Sequence, residues 1–220
     1  MKRWGPTVIV VVLLSATAVA FATTERQKLE KTPFSVLQLT QAFSPKRAAA
    51  TIRLRFFRSH LVTVVILDAH DRPVATLVRE QRVEPGIVEY HWKATAPDGV
   101  YTPRVTLDTG REFTLPRQIR VDSVAPIAHL VSYRPHVLRR RAKPKVTIEY
   151  RLSETAHVIV YVNGRRAVVG GHNNRRDNVD WFAHRDGERL PSGRYRLQLA
   201  AVDLAGNIGA RTPVFVVRVR

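Results

Sequence analysis

Apolar positions in this chain alternate with polar ones in short runs, and one such pair of runs occurs twice. Ile52, Leu54 and Phe56, followed after a gap by Val62, Val64 and Ile66, reappear at one constant offset as Ile148, Tyr150 and Leu152 followed by Val158, Val160 and Val162. A period of two is the pattern of half-buried β-strands. Six positions repeating with the gap unchanged identify a duplicated β unit, two successive domains in place of a solenoid of short repeats. In the first copy Arg53 and Arg55 alternate with the apolar residues of 50–57, so one face is expected in a core and the other in solvent. Ser59 and His60 turn the chain into 61–67, whose more continuous apolar run predicts a central strand covered on both faces. Turn residues at 68–73, 85–86, 98–99 and 108–110 then separate strands expected at 74–78, 87–92, 100–107 and 112–121. In the second copy, 146–152 and 156–162 lead to Asn163-Gly164, a pair that tolerates the positive φ of a type I′ hairpin turn. Strands are expected after it at 179–183, 193–202 and 212–219. With no helical period in either copy, the pattern predicts an all-β fold of two tandem sandwiches joined by a short linker from Val121 to Pro126.

The first two dozen residues read differently. Lys2 and Arg3 precede an uncharged stretch, Trp4 to Thr24, whose centre from Val8 to Leu14 is Val, Ile and Leu throughout. This predicts a segment that enters a lipid bilayer through residues 4–24, either as an uncleaved single-pass anchor or as a secretory signal cut near Ala22. Basic residues ahead of it keep the N-terminus cytoplasmic and send the remainder outside the cytoplasm. The expected organisation is therefore 1–24 membrane anchor or signal, 25–41 charged stalk, 42–122 first sandwich and 126–220 second sandwich. Cysteine is absent, so neither disulfides nor thiolate metal sites are available.

Trp181, Asp186, Gly187, Gly193 and Tyr195 are spaced Trp-x4-Asp-Gly-x5-Gly-x-Tyr. The first copy keeps Trp92, Asp98, Gly99 and Tyr101 with a shorter connection. This pattern resembles the immunoglobulin-like domain of flagellar hook-capping proteins, the FlgD-type module, over about residues 42–220. The resemblance implies tandem bacterial immunoglobulin-like β-sandwiches, modules appended to secreted or surface proteins and not themselves catalytic. Physically these residues suit core and turn: a Trp at a strand end buries a large ring while its N–H finds a partner, and Tyr195 opens a strand whose inward positions are Leu197, Leu199 and Ala201.

Charge narrows the partners. The chain has 36 basic against 18 acidic residues, a net charge of +18, and its surface favours anions. The densest cluster is Arg139, Arg140, Arg141, Lys143 and Lys145, with Arg165-Arg166 and Arg175-Arg176 in later turns. These nine are the candidate contacts for a polyanion: an anionic envelope polymer, lipid headgroups or extracellular DNA, each bound salt-sensitively. Arginine alternating along a strand is equally an ordinary solvated face. Nucleic acid is not the expected primary partner, because reading single strands requires aromatic platforms among the basic residues, whereas Trp92, Trp181, Tyr195 and Phe56 fall at core positions. No Gly-x-Ser-x-Gly, His-Glu-x-x-His or phosphate-binding glycine loop occurs. His172 near Asp177 and His184 near Asp186 are the His–carboxylate neighbours of interest. Asp180, Asp186 and Glu188 lack the alternate spacing of a calcium loop, while Asp122, Asp203 and Asn207 are placed to meet at the domain junction. The expectation is a non-catalytic, membrane-tethered, extracytoplasmic module with a structural or adhesive role at a bacterial envelope and no cofactor or metal. A secreted polyanion-binding protein and an accessory module of an envelope or flagellar assembly are the alternatives.

Overall fold

A computed structural model describes residues 32–139, 144–171, 174–184 and 187–220, with the backbone of Arg185. The expected membrane segment and residues 25–31 of the expected stalk lie outside the described residues; among those described, no helix is long and apolar enough to cross a membrane. The first group of strands is Phe34–Leu39 (β1), Ala42–Phe43 (β2), Ala50–Phe56 (β3), His60–Leu67 (β4), Pro73–Val83 (β5), Gly86–Trp92 (β6), Gly99–Leu107 (β7), Glu112–Thr114 (β8) and Ile119–Val121 (β9). The second is Ala128–Arg134 (β10), Val137–Leu138 (β11), Val146–Leu152 (β12), His157–Val162 (β13), Arg165–Gly170 (β14), Arg176–Trp181 (β15), His184–Arg185 (β16), Glu188–Arg189 (β17), Gly193–Val202 (β18) and Phe215–Val219 (β19).

The two groups share one topology. In the first, β1-β3-β6 form one sheet and β2-β9-β7-β4-β5 the other, with β8 added to β7; in the second, β10-β12-β15 face β11-β19-β18-β13-β14. Setting aside β8 and the β16–β17 hairpin, the orders match strand for strand. The arrangement is that of an immunoglobulin-like two-sheet sandwich. Short β2 runs parallel to β9, as β11 does to β19, and all other strand pairs are antiparallel. Even an irregularity is duplicated. Val36 pairs with Leu54 and Gln38 with Arg53, skipping Leu37, just as Leu130 pairs with Tyr150 and Ser132 with Glu149, skipping Val131. Such a bulge twists an edge strand and makes it a poorer template for pairing with another chain.

Alternation along each strand decides what is buried. Ile52, Leu54 and Phe56 of β3 and Val62, Val64 and Ile66 of β4 are sealed from solvent, while Arg53 and Arg55 are exposed. Buried side chains form two separate clusters, one from Phe34 to Val121 and the other from Ala128 to Val219. Each large apolar side chain so buried contributes about 1.5–3 kcal/mol. At Asn163-Gly164 both residues have positive φ, 47° and 81°, and the two-residue turn sets Val162 opposite Arg165.

Four expectations change. β4 is interior to its sheet but buries one face only, since Thr63 and Val65 are half-buried: the outer face of a sandwich sheet has no second layer over it. The strand expected at 112–121 divides into β8 and β9, because Pro116 cannot donate to a ladder. β10, β11 and β14 occupy stretches where no strand was expected. The first core starts inside the expected stalk, where Phe34 pairs with Phe56 and its ring lies 5.4 Å from that of Phe56 and 5.3 Å from that of Phe113.

Polar contacts join the two groups at the linker. Ser44 N donates to the Ala205 carbonyl (3.2 Å) and Asn207 Nδ2 to the Asp122 carbonyl (2.9 Å). Asp203 orients Asn207 by accepting from its N and its Nδ2, each at 2.8 Å.

Candidate functional site

The motif tyrosines build corners. Tyr101 Oη donates to the Pro97 carbonyl and Tyr195 Oη to the Pro191 carbonyl, both at 2.7 Å, tying the start of β7 and of β18 to the preceding loop. Each ring meets the motif tryptophan edge-on, Trp92 to Tyr101 at 5.1 Å and Trp181 to Tyr195 at 5.8 Å. The structural repeat is thus Pro97-Asp98-Gly99-Val100-Tyr101 with Pro191-Ser192-Gly193-Arg194-Tyr195. Asp98 and Gly99 correspond to Ser192 and Gly193; Gly187 belongs instead to the β16–β17 insertion, where it turns with φ +87°, and Asp186 lies outside the described residues. Asp98 is a linker clamp, accepting from Ser123 N at 3.0 Å and Ser123 Oγ at 2.8 Å. The partner expected for the Trp181 N–H is missing: Nε1 is buried with no hydrogen bond among the described residues.

Of the nine basic candidates, Arg140, Arg141 and Lys143 lie outside the described residues, and register divides the rest. Val146 is opposite Trp181 and Arg151 opposite Arg176, so Lys145 and the Arg175-Arg176 pair sit at opposite ends of their sheet, separated by at least about 20 Å of strand at ~3.4 Å per residue. Lys145 is committed locally. Its Nζ lies 2.8 Å from Asp180 Oδ2, while Thr147 Oγ1 donates to Oδ1 at 2.7 Å. The Lys145 hydrogen bond, opposed by partial desolvation and helped by Thr147, holds the Asp180 carboxyl below its ordinary value.

Arg165 and Arg166 converge with the insertion. A cleft of about 260 Å³ is walled by Arg165, Arg166 and Val168 of β14 on one side and by Phe182, His184 and Leu190 on the other, with Trp181 at its floor. Arg139 and Arg189 line a shallow depression on the other side of Phe182 and Leu190. The structure therefore brings Arg139, Arg165 and Arg166 around one hairpin, at the end of the second sandwich away from the linker, and leaves Arg175-Arg176 at the linker end. Ala183 turns the chain into the hairpin with φ 52°, a left-handed conformation uncommon for a residue with a Cβ. Leu190 N closes the stem on the Ala183 carbonyl at 2.8 Å. His184 Nδ1 lies 2.7 Å from the Phe182 carbonyl, which can only accept, so Nδ1 carries a proton.

The polar groups at the linker are tied up structurally. Asp122, Asp203 and Asn207 do meet, through the Asn207 amide, and no group of three or more His, Cys, Asp or Glu among the described residues is arranged to hold a metal ion. Glu154 nearby is pushed up, by desolvation first and then by the charges of Asp122 and Asp203, with Arg175 and Arg120 opposing. Burial pushes the Tyr90 hydroxyl up to about 12 and, with the charge of Asp177, that of Tyr150 to about 12. His172 lies outside the described residues. A His–carboxylate pair that sequence reading missed is His60 Nδ1 with Asp108 Oδ1 at 3.0 Å; the two are 48 positions apart and only the β4–β7 pairing brings them together.

No protein-family model matches the chain, the hook-capping one included, and no curated protein matches it. Among solved structures the chain is similar to the fibronectin(III)-like modules of Clostridium thermocellum CbhA, at 13% identity over 84% of this chain and 92% of that one with a TM-score of 0.46. It is similar to the FN1-FN3 domains of chicken CNTN1, at 11% identity over 83% and 66% with a TM-score of 0.43. It is also similar to the Yersinia pseudotuberculosis adhesin InvE, at 11% identity over 86% and 59% with a TM-score of 0.32. At these scores the fold assignment rests on the strand order itself.

Proposed function

We propose that this chain is a non-catalytic pair of immunoglobulin-like sandwiches, tethered to a membrane through residues 4–24 and held outside the cytoplasm, with a structural or adhesive role at a cell envelope and an anionic polymer or envelope protein as its partner. The observation that supports it is how the side chains are used. The duplicated Trp, Tyr, Pro and Gly residues go to corners and turns in both sandwiches, and the acids at the linker go to hydrogen bonds. What is left facing solvent is mainly cationic, and of the basic candidates Arg139, Arg165 and Arg166 lie around the hairpin at the end of the second sandwich away from the linker, with Arg175-Arg176 at the other end. The resemblance to hook-capping modules carries the fold and not the assembly role, since one fold hosts many functions.

Two measurements test this reading. A reporter fused to the C-terminus that is active only outside the cytoplasm, combined with mass spectrometry of the N-terminus from the membrane fraction, is expected to give external activity and an intact residue 1. Cleavage near Ala22 shifts the reading to a secreted protein, and a cytoplasmic C-terminus overturns it. Retention on an anionic polymer column is expected to fall steeply as salt rises. Absence of retention removes the anionic partner.

A further inference from the structure

We propose that the cleft between β14 and the β16–β17 hairpin is a binding site for an oxyanion, phosphate or carboxylate, borne on a repeating envelope polymer, a proposal that rests on the outward-facing binding module above. Four features of this chain carry it. First, Arg165 and Arg166 are exposed on an edge strand, and the side chain of neither makes an ion pair among the described residues, in contrast to Lys145. Arg165 lies opposite core-facing Val162 and Arg166 opposite Tyr161, so the two reach the cleft from opposite faces of the edge strand, and each guanidinium fork can give two parallel N–H bonds to the paired oxygens of a phosphate or carboxylate. Second, the opposite wall is apolar. Phe182 is 46% exposed, a large aromatic surface left in water beside two cations. An apolar wall lowers the local dielectric and strengthens the pull of the guanidinium groups on an anion, and its ring offers a face for the non-ionic part of a monomer.

Third, Trp181, which lines the cleft, is almost wholly buried, and its Nε1 has no hydrogen-bond partner among the described residues. His184, whose Nδ1 is engaged by the Phe182 carbonyl, keeps Nε2 as its second hydrogen-bonding atom on the same wall. Fourth, the wall is an addition to the fold. The first sandwich runs from β6 to β7 with no strand between, whereas the second inserts β16 and β17 there and accepts a left-handed Ala183 to start them. The hairpin stem contributes little to the core beyond Ala183 and Leu190; its effect is to close one side of the cleft. At about 260 Å³, just under the roughly 300–1,000 Å³ of ordinary small-molecule sites, the cleft takes one monomer of a polymer rather than a folded partner.

The chain has 3 tryptophans, so Trp4→Phe with Trp92→Phe leaves Trp181 as the sole indole, seated on the floor of the cleft. The test titrates this full-length protein in nanodiscs with sodium polyphosphate and, separately, with polygalacturonate. A saturable change in Trp181 emission is expected, and the polymer with the lower half-saturation identifies the preferred oxyanion. Replacing Arg165 and Arg166 together by Ala should raise the half-saturation by about tenfold or more, as loss of charge-assisted contacts demands. Replacing Arg175 and Arg176 by Ala removes the same charge and should change it by less than about twofold, the part owed to net charge alone. Column retention of the unsubstituted chain and of the two Arg variants gives the same comparison without touching a tryptophan. Equal weakening by both Arg pairs, or retention with no change at Trp181, overturns the cleft and leaves the anion-binding module standing. No interaction with either polymer overturns both.

Discussion

Replacing Tyr195 by Phe removes one oxygen from a corner and leaves the rest in place. The ring is 7% exposed and stays against Trp181, so the transfer term is close to zero. What goes is the 2.7 Å bond to the Pro191 carbonyl. Pro191 itself is exposed, so water can take over that carbonyl, and the cost is the net value of one hydrogen bond, about 0.5–1.5 kcal/mol, without the penalty of a sealed orphan. For a domain of roughly 60–100 residues, about 1 kcal/mol corresponds to a midpoint shift of about 4–8 °C. Tyr195→Ala also loses the ring and should cost about 3–5 kcal/mol, in line with other aromatic-to-Ala changes in cores. Thermal unfolding followed by Trp181 emission, with Trp4 and Trp92 replaced by Phe, isolates the second sandwich. Tyr101→Phe followed by Trp92 emission, with Trp4 and Trp181 replaced, repeats the experiment in the first. An unchanged midpoint for Tyr195→Phe, or one as low as that of the Ala variant, would refute the assignment of the hydroxyl as the fastening of the corner.

The remaining predictions concern the junction, a turn and a surface pair. A Cβ added at Gly209 would overlap the Pro126 carbonyl oxygen, so Gly209→Ala should destabilise by about 1–3 kcal/mol and speed proteolysis of the linker; an unaffected cleavage rate would show that the linker tolerates the shift. Asp68, which accepts from Arg72 N, Arg72 Nε and His70 N, is held at about 2, the Arg72 backbone bond leading. Its carboxyl is favoured when charged in the folded state, so its contribution is complete above an ordinary carboxylate value and fades as pH falls towards about 2. Amide exchange at Arg72 between about pH 5 and pH 2 should follow that course, and Asp68→Asn should abolish it. Asp180→Asn weakens a pair in which the Lys145 side chain is 52% exposed, so it should cost less than about 1 kcal/mol in urea unfolding; a larger loss would mean that Asp180 supports more than Lys145 and Thr147.

The strands easiest to read from the sequence were those whose register the pleat alone imposes. β3 and β12 show an unbroken period of two, and Asn163-Gly164 supplies its own turn geometry. β1 and β10 escaped for one shared reason. The bulges at Leu37 and Val131 shift the phase in mid-strand, so Phe-Ser-Val-Leu-Gln-Leu and Ala-His-Leu-Val-Ser-Tyr-Arg never present a clean alternation. The corners were half legible: Pro-x-Gly-x-Tyr occurs twice, but the Asp-Gly pair at 186–187 offered a competing alignment with 98–99 that only the hairpin dispels. Basic residues were visible as a count and as clusters along the chain. Their division was not, because Arg165 and Arg175 are only ten positions apart in sequence but belong to opposite ends of the second sandwich, a separation created by the run of β14 between them and by strand pairing.

The parallel pairing of β2 with β9 and of β11 with β19 has a mechanical corollary. Tension applied between the two ends of either sandwich, once carried past the edge strand β1 or β10, pulls β2 and β9, or β11 and β19, in opposite directions along their own axes. The bonds joining Ala42 and Phe43 to Arg120 and Val121, or Val137 and Leu138 to Arg218 and Val219, are then loaded in shear and must yield together. Each patch spans only two residue pairs, so it is a short shear clasp, and because both sandwiches carry the same one, neither is set apart from the other by it as the first to open under load.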